Sequence, residues 1–395
     1  MRFRLCPTPE QVIVLERHCA DARFVWNLAL EQRMLHRIRL RPSPSYVEQS
    51  RQMTEARADN PWLADGSHVV QQQALRDLDQ AFRYFFNGTH GYPKWRKRGA
   101  NEGLRIVAVQ PDDIRRLSRH KGAIQIPKIG TVKFRWSRDP GEPKSFRVTR
   151  DAAGRWHVAF AVIPPAIEGP GTGEVVGLDR GVAVSVMTSN GEAFYAPTLR
   201  PKESERLMRL QRRLSHAMLG SNRRHRVKRS IAIVRAREVQ RRKDWIEKTT
   251  TTLARLYDIA KVEALKIGNM TRSAHGTVAQ PGCRVRQKAG LNRAILAQGW
   301  GLFVARLEQK MPGRVARVDP QYTSQRCSEC GHVAAESRES QARFRCVFCG
   351  FSLHADLNAA RNIAGGQPVT ARGARISKRR AVNREPHQRR RSEVA

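Results

Sequence analysis

Four cysteines near the C-terminal end fall in two pairs, Cys327-x-x-Cys330 and Cys346-x-x-Cys349, with fifteen residues between the pairs. Each turn lets two thiolates grip one ion, and two such turns close a tetrahedral four-sulfur site for Zn²⁺. Gly331 and Gly350 directly follow the turns, where a backbone free to take positive φ suits the chain reversal. Four sulfurs leave no open coordination position, so the expected zinc is structural. Seven residues beyond Cys349 stands Asp356, at the start of the helix-forming run LNAARNI.

Two further acids sit where an acid is costly. Asp179 ends the apolar run Val175-Val176-Gly177-Leu178, and Glu263 lies within strand-like Ile259 to Ile267. A carboxylate in a buried strand is expensive to ionise unless a metal or a cation compensates it. Asp179, Glu263 and Asp356 could converge on a pair of Mg²⁺ ions, which activate water and stabilise a leaving oxygen in phosphodiester cleavage. Taken singly, each acid reads better as a capping or solvated carboxylate than as a metal ligand, and Asp356 as a helix N-cap.

The elements that must position these groups follow from periodicity. Thr8, Pro9 and Gln11 read as a capping box that starts an amphipathic helix running to about residue 36, and a second helical pattern covers 67 to 87. Short segments between 103 and 163, among them TVKFRW and WHVAFAVI, predict a small antiparallel β-unit, a barrel in the simplest closure. PPAIEGPGTG (164–173) reads as a domain boundary. Beyond it come the strand bearing Asp179, a second strand, an Asn190-Gly191 hairpin turn and a third strand. Two long helices follow, near 199–218 and 222–257. After them come a strand over Ile259 to Ile267, one amphipathic helix over LNRAILAQGWGLFVARLEQKM and the strand RVARV.

The charge balance names the partner class. Seventy-three Lys and Arg against 35 Asp and Glu leave +38 on 395 residues, a repulsion that a polyanion would neutralise. The loop GYPKWRKRG interleaves Trp95 with Lys94, Arg96, Lys97 and Arg98, a pattern suited to base stacking with phosphate contact, or to a solvated turn. SNRRHRVKRSIAIVRAREVQRRK (221–243) carries ten cations and one acid, so Arg223, Arg224 and Lys228 are expected on a phosphate-tracking helix. Residues 367–395 read as a disordered basic tail. No run of about twenty apolar residues exists to span a bilayer, and MRFRLCPTPEQ lacks the apolar stretch of a secretory signal. The expected address is the cytoplasm, at the nucleoid, where thiols stay reduced and paired cysteines are metal ligands.

Order and wording of the blocks carry a resemblance. GLDRGVAVSVMTSNG, VEALKIGNMTR, LNRAILAQGWGLFVARLE, PQYTSQRCSECGH and HADLNAARNI, together with LCPTPEQ…RFVWNLALEQR and YPKWRKRG, resemble the TnpB (OrfB) proteins of bacterial insertion sequences. The likeness covers nearly the whole chain except the tail. It implies an RNA-guided DNA endonuclease related to the type V CRISPR effectors, carrying a guide RNA made from the end of its own element. Such a protein recognises a short motif beside its double-stranded DNA target and cuts with a RuvC-like, ribonuclease H-like site. On that likeness Asp179, Glu263 and Asp356 fall on the three RuvC acids and bind Mg²⁺. Two departures stand at Ala264, where many relatives carry Asp, and Ala355, where some carry Arg. The first faces away along a strand and leaves catalysis untouched, whereas the second removes a phosphate contact.

The implied architecture is a multidomain α/β chain. Residues 1–165 form a nucleic-acid-binding region, helical over about 9–90 and a β-barrel over 1–8 and 91–165. Residues 174–321 begin a RuvC-like nuclease domain, 322–351 insert a zinc ribbon, and 352–366 return the last nuclease helix. The competing readings are a transposase acting directly on element ends, and a guided or unguided zinc-ribbon DNA-binding protein without cleavage.

Overall fold

In the computed structural model, residues 1–38, 42–100, 102–107 and 109–366 are described, and the basic tail lies outside them. The chain forms two compact units, one of residues 1–164 and 199–240, the other of residues 165–198 and 241 onward.

In the first unit, β1 (Arg2–Cys6) leads into α1 (Pro9–Ile38), followed by α2 (Tyr46–Asp59), α3 (Pro61–Ala64) and α4 (His68–Phe86). The capping box is present: Gln11 N donates to Thr8 Oγ1 (3.3 Å), and Thr8 N donates to Gln11 Oε1 (3.1 Å). Then come β2 (Gly103–Val107), β3 (Ile114–Arg116), β4 (Lys121–Ile126), β5 (Gly130–Arg135), β6 (Ser145–Arg150) and β7 (Trp156–Phe160). They build a seven-stranded sheet in the order β2-β6-β7-β1-β5-β4-β3, every pair antiparallel. The first strand is central, so Phe3 and Leu5 enter a core shared with Leu15, Val25 and Leu30 of α1 and Leu75 and Leu78 of α4. Hydrophobic burial of this set holds helices and sheet together.

The second unit opens with β8 (Val175–Asp179), β9 (Val186–Thr188) and β10 (Ala193–Phe194), the last two joined through Asn190-Gly191 with Gly191 at φ 90°. Helix α5 (Pro201–Ser215) and the long α6 (Asn222–Leu256) as far as residue 240 belong to the first unit. The rest of α6 returns the chain to the second unit, followed by β11 (Ile259–Glu263), α7 (Ile267–Met270), α8 (Val285–Gln298), α9 (Trp300–Lys310) and β12 (Val315–Val318). The chain ends in a two-stranded ribbon, β13 (Arg343–Arg345) with β14 (Ser352–His354), and α10 (Ala355–Gly365). Strands run in the order β10-β9-β8-β11-β12, with β8, β11 and β12 parallel. Two expectations change. The Glu263 strand stops at Glu263 and turns into α7, and the single helix expected over 291–311 breaks at Gly299, whose φ of 73° is left-handed.

Alternation along β8 and β11 sorts side chains between two faces. Val176, Leu178, Ala260 and Val262 pack with Ile246 and Leu253 of α6 and Phe303 and Leu307 of α9. The opposite face of β8 receives α10. A Cβ built on Gly177 would stand 2.0 Å from the carbonyl oxygen of Ala360 and 2.5 Å from Ala364 N, so only glycine admits the helix this close.

Candidate active site and zinc ribbon

Asp179 and Glu263 end neighbouring parallel strands. Val262 pairs with Leu178, and one step further along the same register Glu263 falls beside Asp179. Both acids belong to the face opposite the α6–α9 core, where Gly177 has let α10 approach, and Asp356 sits in the first turn of that helix. The structure thus brings all three acids into one electrostatic neighbourhood. Burial first, then the negative charges of Glu263 and Asp356, push the Asp179 carboxyl up to about 7, with Arg338 and the backbone N–H of Arg180 pulling it down.

Asp356 is not the N-cap. That place belongs to His354, whose Nδ1 accepts from Asp356 N at 3.3 Å, so the carboxylate of Asp356 stays free of the helix end. Three partners of the acids were not foreseen. Arg338 Nη2 lies 3.7 Å from Asp356 Oδ1. Thr323 Oγ1 donates to Glu263 Oε1 at 2.6 Å. Arg180, buried at 6 % exposure, donates through Nη2 to the Glu263 carbonyl at 2.5 Å. Arg180 therefore ties two strand ends together, its N–H on one acid and its side chain on the backbone of the other. Only Arg180 carried a visible signal, a cation adjoining a strand-end acid.

The four cysteines meet. Cys327 and Cys349 Sγ are 3.8 Å apart, and Cys330 and Cys346 Sγ 3.7 Å. A tetrahedral ion with bonds of about 2.3 Å sets sulfur–sulfur distances of about 3.8 Å, so the thiols fit Zn²⁺. Both turns have the same geometry: Gly331 N donates to Cys327 O and Gly350 N to Cys346 O, each at 3.0 Å, with both glycines at positive φ. Backbone N–H groups of Cys349 and Phe348 pull the Cys346 thiol down, while the neighbouring Cys330 and Cys349 thiols are pushed up, as close thiols sharing one site are. Among the described residues the four thiols are the group of metal-ligating atoms lying within 4.8 Å of one another, and the three carboxylates stand wider. Their donor set still suits a hard divalent cation. It is all oxygen, and burial together with the facing acids raises the Asp179 carboxyl, a stress that a divalent cation would relieve.

Two asparagines one turn apart on α10 weld the ribbon to the helix. Asn358 Oδ1 accepts from Ser328 N (2.9 Å), and its Nδ2 donates to Arg326 O (2.8 Å). Asn362 Nδ2 donates to Thr323 O (2.9 Å) and Arg326 O (2.7 Å). The first cysteine turn is thereby fixed to the helix that carries Asp356.

The expected nucleic-acid contacts divide. Lys94, Trp95, Lys97 and Arg98 are exposed, on a loop held to α1 by Trp26 Nε1 on Lys94 O (3.0 Å) and by Asn27, which donates to Arg96 O (3.0 Å) and accepts from Arg96 N (2.8 Å). Arg96 turns inward instead: its guanidinium stacks 3.8 Å from the Trp26 ring centroid, and burial lowers its pKa to about 10. Arg223 and Lys228 are exposed. Arg224 is spent inside the helical pair, its Nη1 donating to Leu214 O and Ala217 O at 2.8 Å each, where it caps the end of α5.

Comparison with known proteins gives the family of the sequence and the fold. Residues 158–274 match OrfB_IS605, described as probable transposase, residues 1–37 its helix-turn-helix domain, and residues 300–363 the Cas12f1-like TNB domain. The fold is that of Cas12f1: a solved Cas12f1–sgRNA–target DNA complex superposes with a TM-score of 0.56 at 15% identity, covering 90% of this chain and 83% of that one. InsQ of Escherichia coli (strain K12), whose name gives it as an inferred RNA-guided DNA endonuclease, is 36% identical over 98% of this chain and 96% of its own. A Streptomyces pristinaespiralis protein with the same inferred activity is 30% identical over 97% and 93%. The chain belongs to the TnpB (OrfB) family of insertion-sequence proteins. Among its described residues no helix is long and apolar enough to cross a membrane.

Proposed function

We propose that this chain is an RNA-guided DNA endonuclease of a transposable element, cutting DNA paired to a guide RNA with a RuvC-type Asp/Glu/Asp site. The observation that carries the reading is the charge stress on Asp179, pushed up to about 7 by burial and by the facing Glu263 and Asp356. A fold does not bury mutually repelling carboxylates cheaply, and such stress marks functional sites. Asp179, Glu263 and Asp356 would hold Mg²⁺, which when bound supplies an activated water and charge stabilisation at the leaving oxygen. The chain's own contribution is alignment: Arg180 holds the first two acids in register, Thr323 orients Glu263, and Arg338 approaches Asp356. Cys327, Cys330, Cys346 and Cys349 would hold a structural Zn²⁺ that fixes the ribbon to α10.

On this reading residues 174–321 and 352–366 form the RuvC-like domain, although residues 199–240 within that span cluster with the first unit, and the antiparallel sheet of the first unit is a barrel-like nucleic-acid-binding module. Lys94, Trp95, Lys97, Arg98, Arg223 and Lys228 are available to nucleic-acid backbone or bases. The guide comes from the element's own end, and target choice rests on base pairing plus a short adjacent motif, as delegated recognition requires. The test is to purify the protein, sequence the RNA that accompanies it, and incubate with Mg²⁺ and DNA matching that RNA. Guide-dependent cutting that Asp179→Ala abolishes supports the reading. Guide-independent strand transfer would identify a transposase acting on element ends, and guided binding without cutting a DNA-binding protein.

A further inference from the structure

The turn between α5 and α6 ends in two large apolar side chains that no packing explains. Met218 is 76 % exposed and Leu219 81 % exposed, at the far end of a helical pair whose own contacts, Leu207 and Leu210 against Val227 and Val234, are buried behind them. A mobile tip would leave such residues to chance, but this tip is stapled. Arg224 holds Leu214 O and Ala217 O, Ser221 Oγ donates to Met218 O at 2.9 Å, and Arg224 N donates to Ser221 Oγ at 3.2 Å. Gly220, at φ 77° with open space around it, completes the reversal. The geometry is a rigid knob that projects methionine and leucine outward.

Its surroundings state what it meets. Arg212 and Arg213 on one helix and Arg223 and Arg226 on the other are exposed beside the knob, and no acid occurs between Glu205 and Glu238. An apolar pair flanked by arginines matches a nucleic-acid duplex opened at a step or an end: guanidinium groups take the phosphates and the apolar side chains enter the stack. An uncharged protein groove would leave those arginines unmatched.

We propose that the α5–α6 tip is a wedge that enters the end of a nucleic-acid duplex and unstacks its terminal base pair, an inference that rests on the chain's binding guide RNA and target DNA. The duplex is the guide RNA–DNA hybrid, whose end the guided reading itself supplies.

The probes are an RNA–DNA hybrid of about 20 base pairs and an RNA hairpin, each carrying 2-aminopurine in the terminal or the central pair. Full-length protein is titrated into each. The expected result is a rise in fluorescence of at least about threefold for the terminal label over the central one, the mark of unstacking. Met218→Ser with Leu219→Ser, an exposed double substitution that leaves the arginines in place, should remove that rise while duplex affinity changes less than about threefold. A terminal response on the hybrid supports the wedge, and one confined to the hairpin overturns the hybrid as its occupant. Equal responses at both labels, or a double variant indistinguishable from the parent, overturn the wedge and leave guided binding intact. Loss of binding to phosphatidylserine vesicles in the variant, with the duplex response unchanged, also overturns it. A parent protein that binds neither duplex sinks the wedge and the guided reading together.

Discussion

The guanidinium of Arg338 stands 3.7 Å from the carboxylate of Asp356, although one belongs to the cysteine ribbon and the other to the helix that follows it. This cation lowers the proton affinity of Asp179, which burial and the facing acids have raised to about 7. Cutting needs Asp179 ionised, so its rate should rise with pH through the acid's titration. Arg338→Gln should move that limb to higher pH and Arg338→Lys should restore it, as read from single-turnover cleavage between pH 5.5 and 8.5, a window of about three units around the titration. An unshifted limb in Arg338→Gln would leave the contact without influence on the acids.

The same stress predicts an inverse relation between stability and activity at Asp179. A carboxyl whose folded pKa lies above its unfolded value binds its proton more tightly in the folded state. Folding therefore loses stability as pH rises from about 4 to about 7. A displacement from 3.8 to about 7 corresponds to on the order of 4 kcal/mol above pH 7. Asp179→Asn should abolish cutting yet raise the melting temperature of metal-free protein at pH 8, with little change at pH 4. Mg²⁺ should raise the melting temperature of the parent at pH 8 and leave the variant nearly unmoved. A lower melting temperature for the variant at pH 8 would contradict the charge-stress account.

Zinc should act on cutting through α10. Asn358 is fully buried and spends both ends of its amide on the backbone of the first cysteine turn. Cys349→Ser, or removal of zinc by chelation, should loosen that turn, expose residues 322–351 to proteolysis and cost cleavage by misplacing Asp356. Asn358→Leu should do the same with the zinc still bound, at a cost of about 2–3 kcal/mol for unpaired buried backbone groups. Limited proteolysis and zinc content, measured beside cleavage, separate the two routes. Full activity in zinc-stripped protein would uncouple the ribbon from the acids.

What could be read in advance follows from the range of each interaction. The four-cysteine cluster is legible because two Cys-x-x-Cys turns are local and carry their own geometry. The three acids are legible as a set only through the family blocks around them, since nothing local to Glu263 distinguishes it from a solvated strand acid. Arg338, Thr323 and the two α10 asparagines depend on how the ribbon folds back on the helix, a relation between residues 18 to 60 positions apart that no periodicity encodes. Helix α2 escaped notice for a different reason: Met53 is its one buried apolar residue, too little to set a period. The break at Gly299 was hidden because apolar residues continue at helical spacing on both sides of it.

Gly177 sets the distance between Asp179 and the helix bearing Asp356. A side chain there would strike the backbone of Ala360 and Ala364, and backbone cannot rotate aside. Gly177→Ala should push α10 off β8, destabilise the protein by about 1–3 kcal/mol, and reduce cleavage more than it reduces target binding. Thermal melts and filter binding beside cleavage assays test this. A variant with parental stability and activity would show that the helix has room to spare.

Trp95 and Arg96 are neighbours with opposite assignments, which makes them a controlled pair. Trp95 is 46 % exposed on a loop whose backbone is clamped by Trp26 and Asn27, so its indole is presented without an ordering cost. Arg96 faces inward over the Trp26 ring. Trp95→Ala should leave the melting temperature unchanged and weaken RNA binding by about 1–3 kcal/mol, the range for loss of one stacking platform. Arg96→Ala should lower the melting temperature first, because it removes a buried cation–π contact of about 2 kcal/mol, and should weaken RNA binding only as far as the loop loosens. The salt dependence of binding discriminates further. A phosphate contact changes the slope of log K against log salt when removed, whereas a stacking contact shifts the line without tilting it. A tilted line for Trp95→Ala, or for Arg96→Ala a melting temperature equal to the parent's with a lost unit of slope, would reverse the two roles.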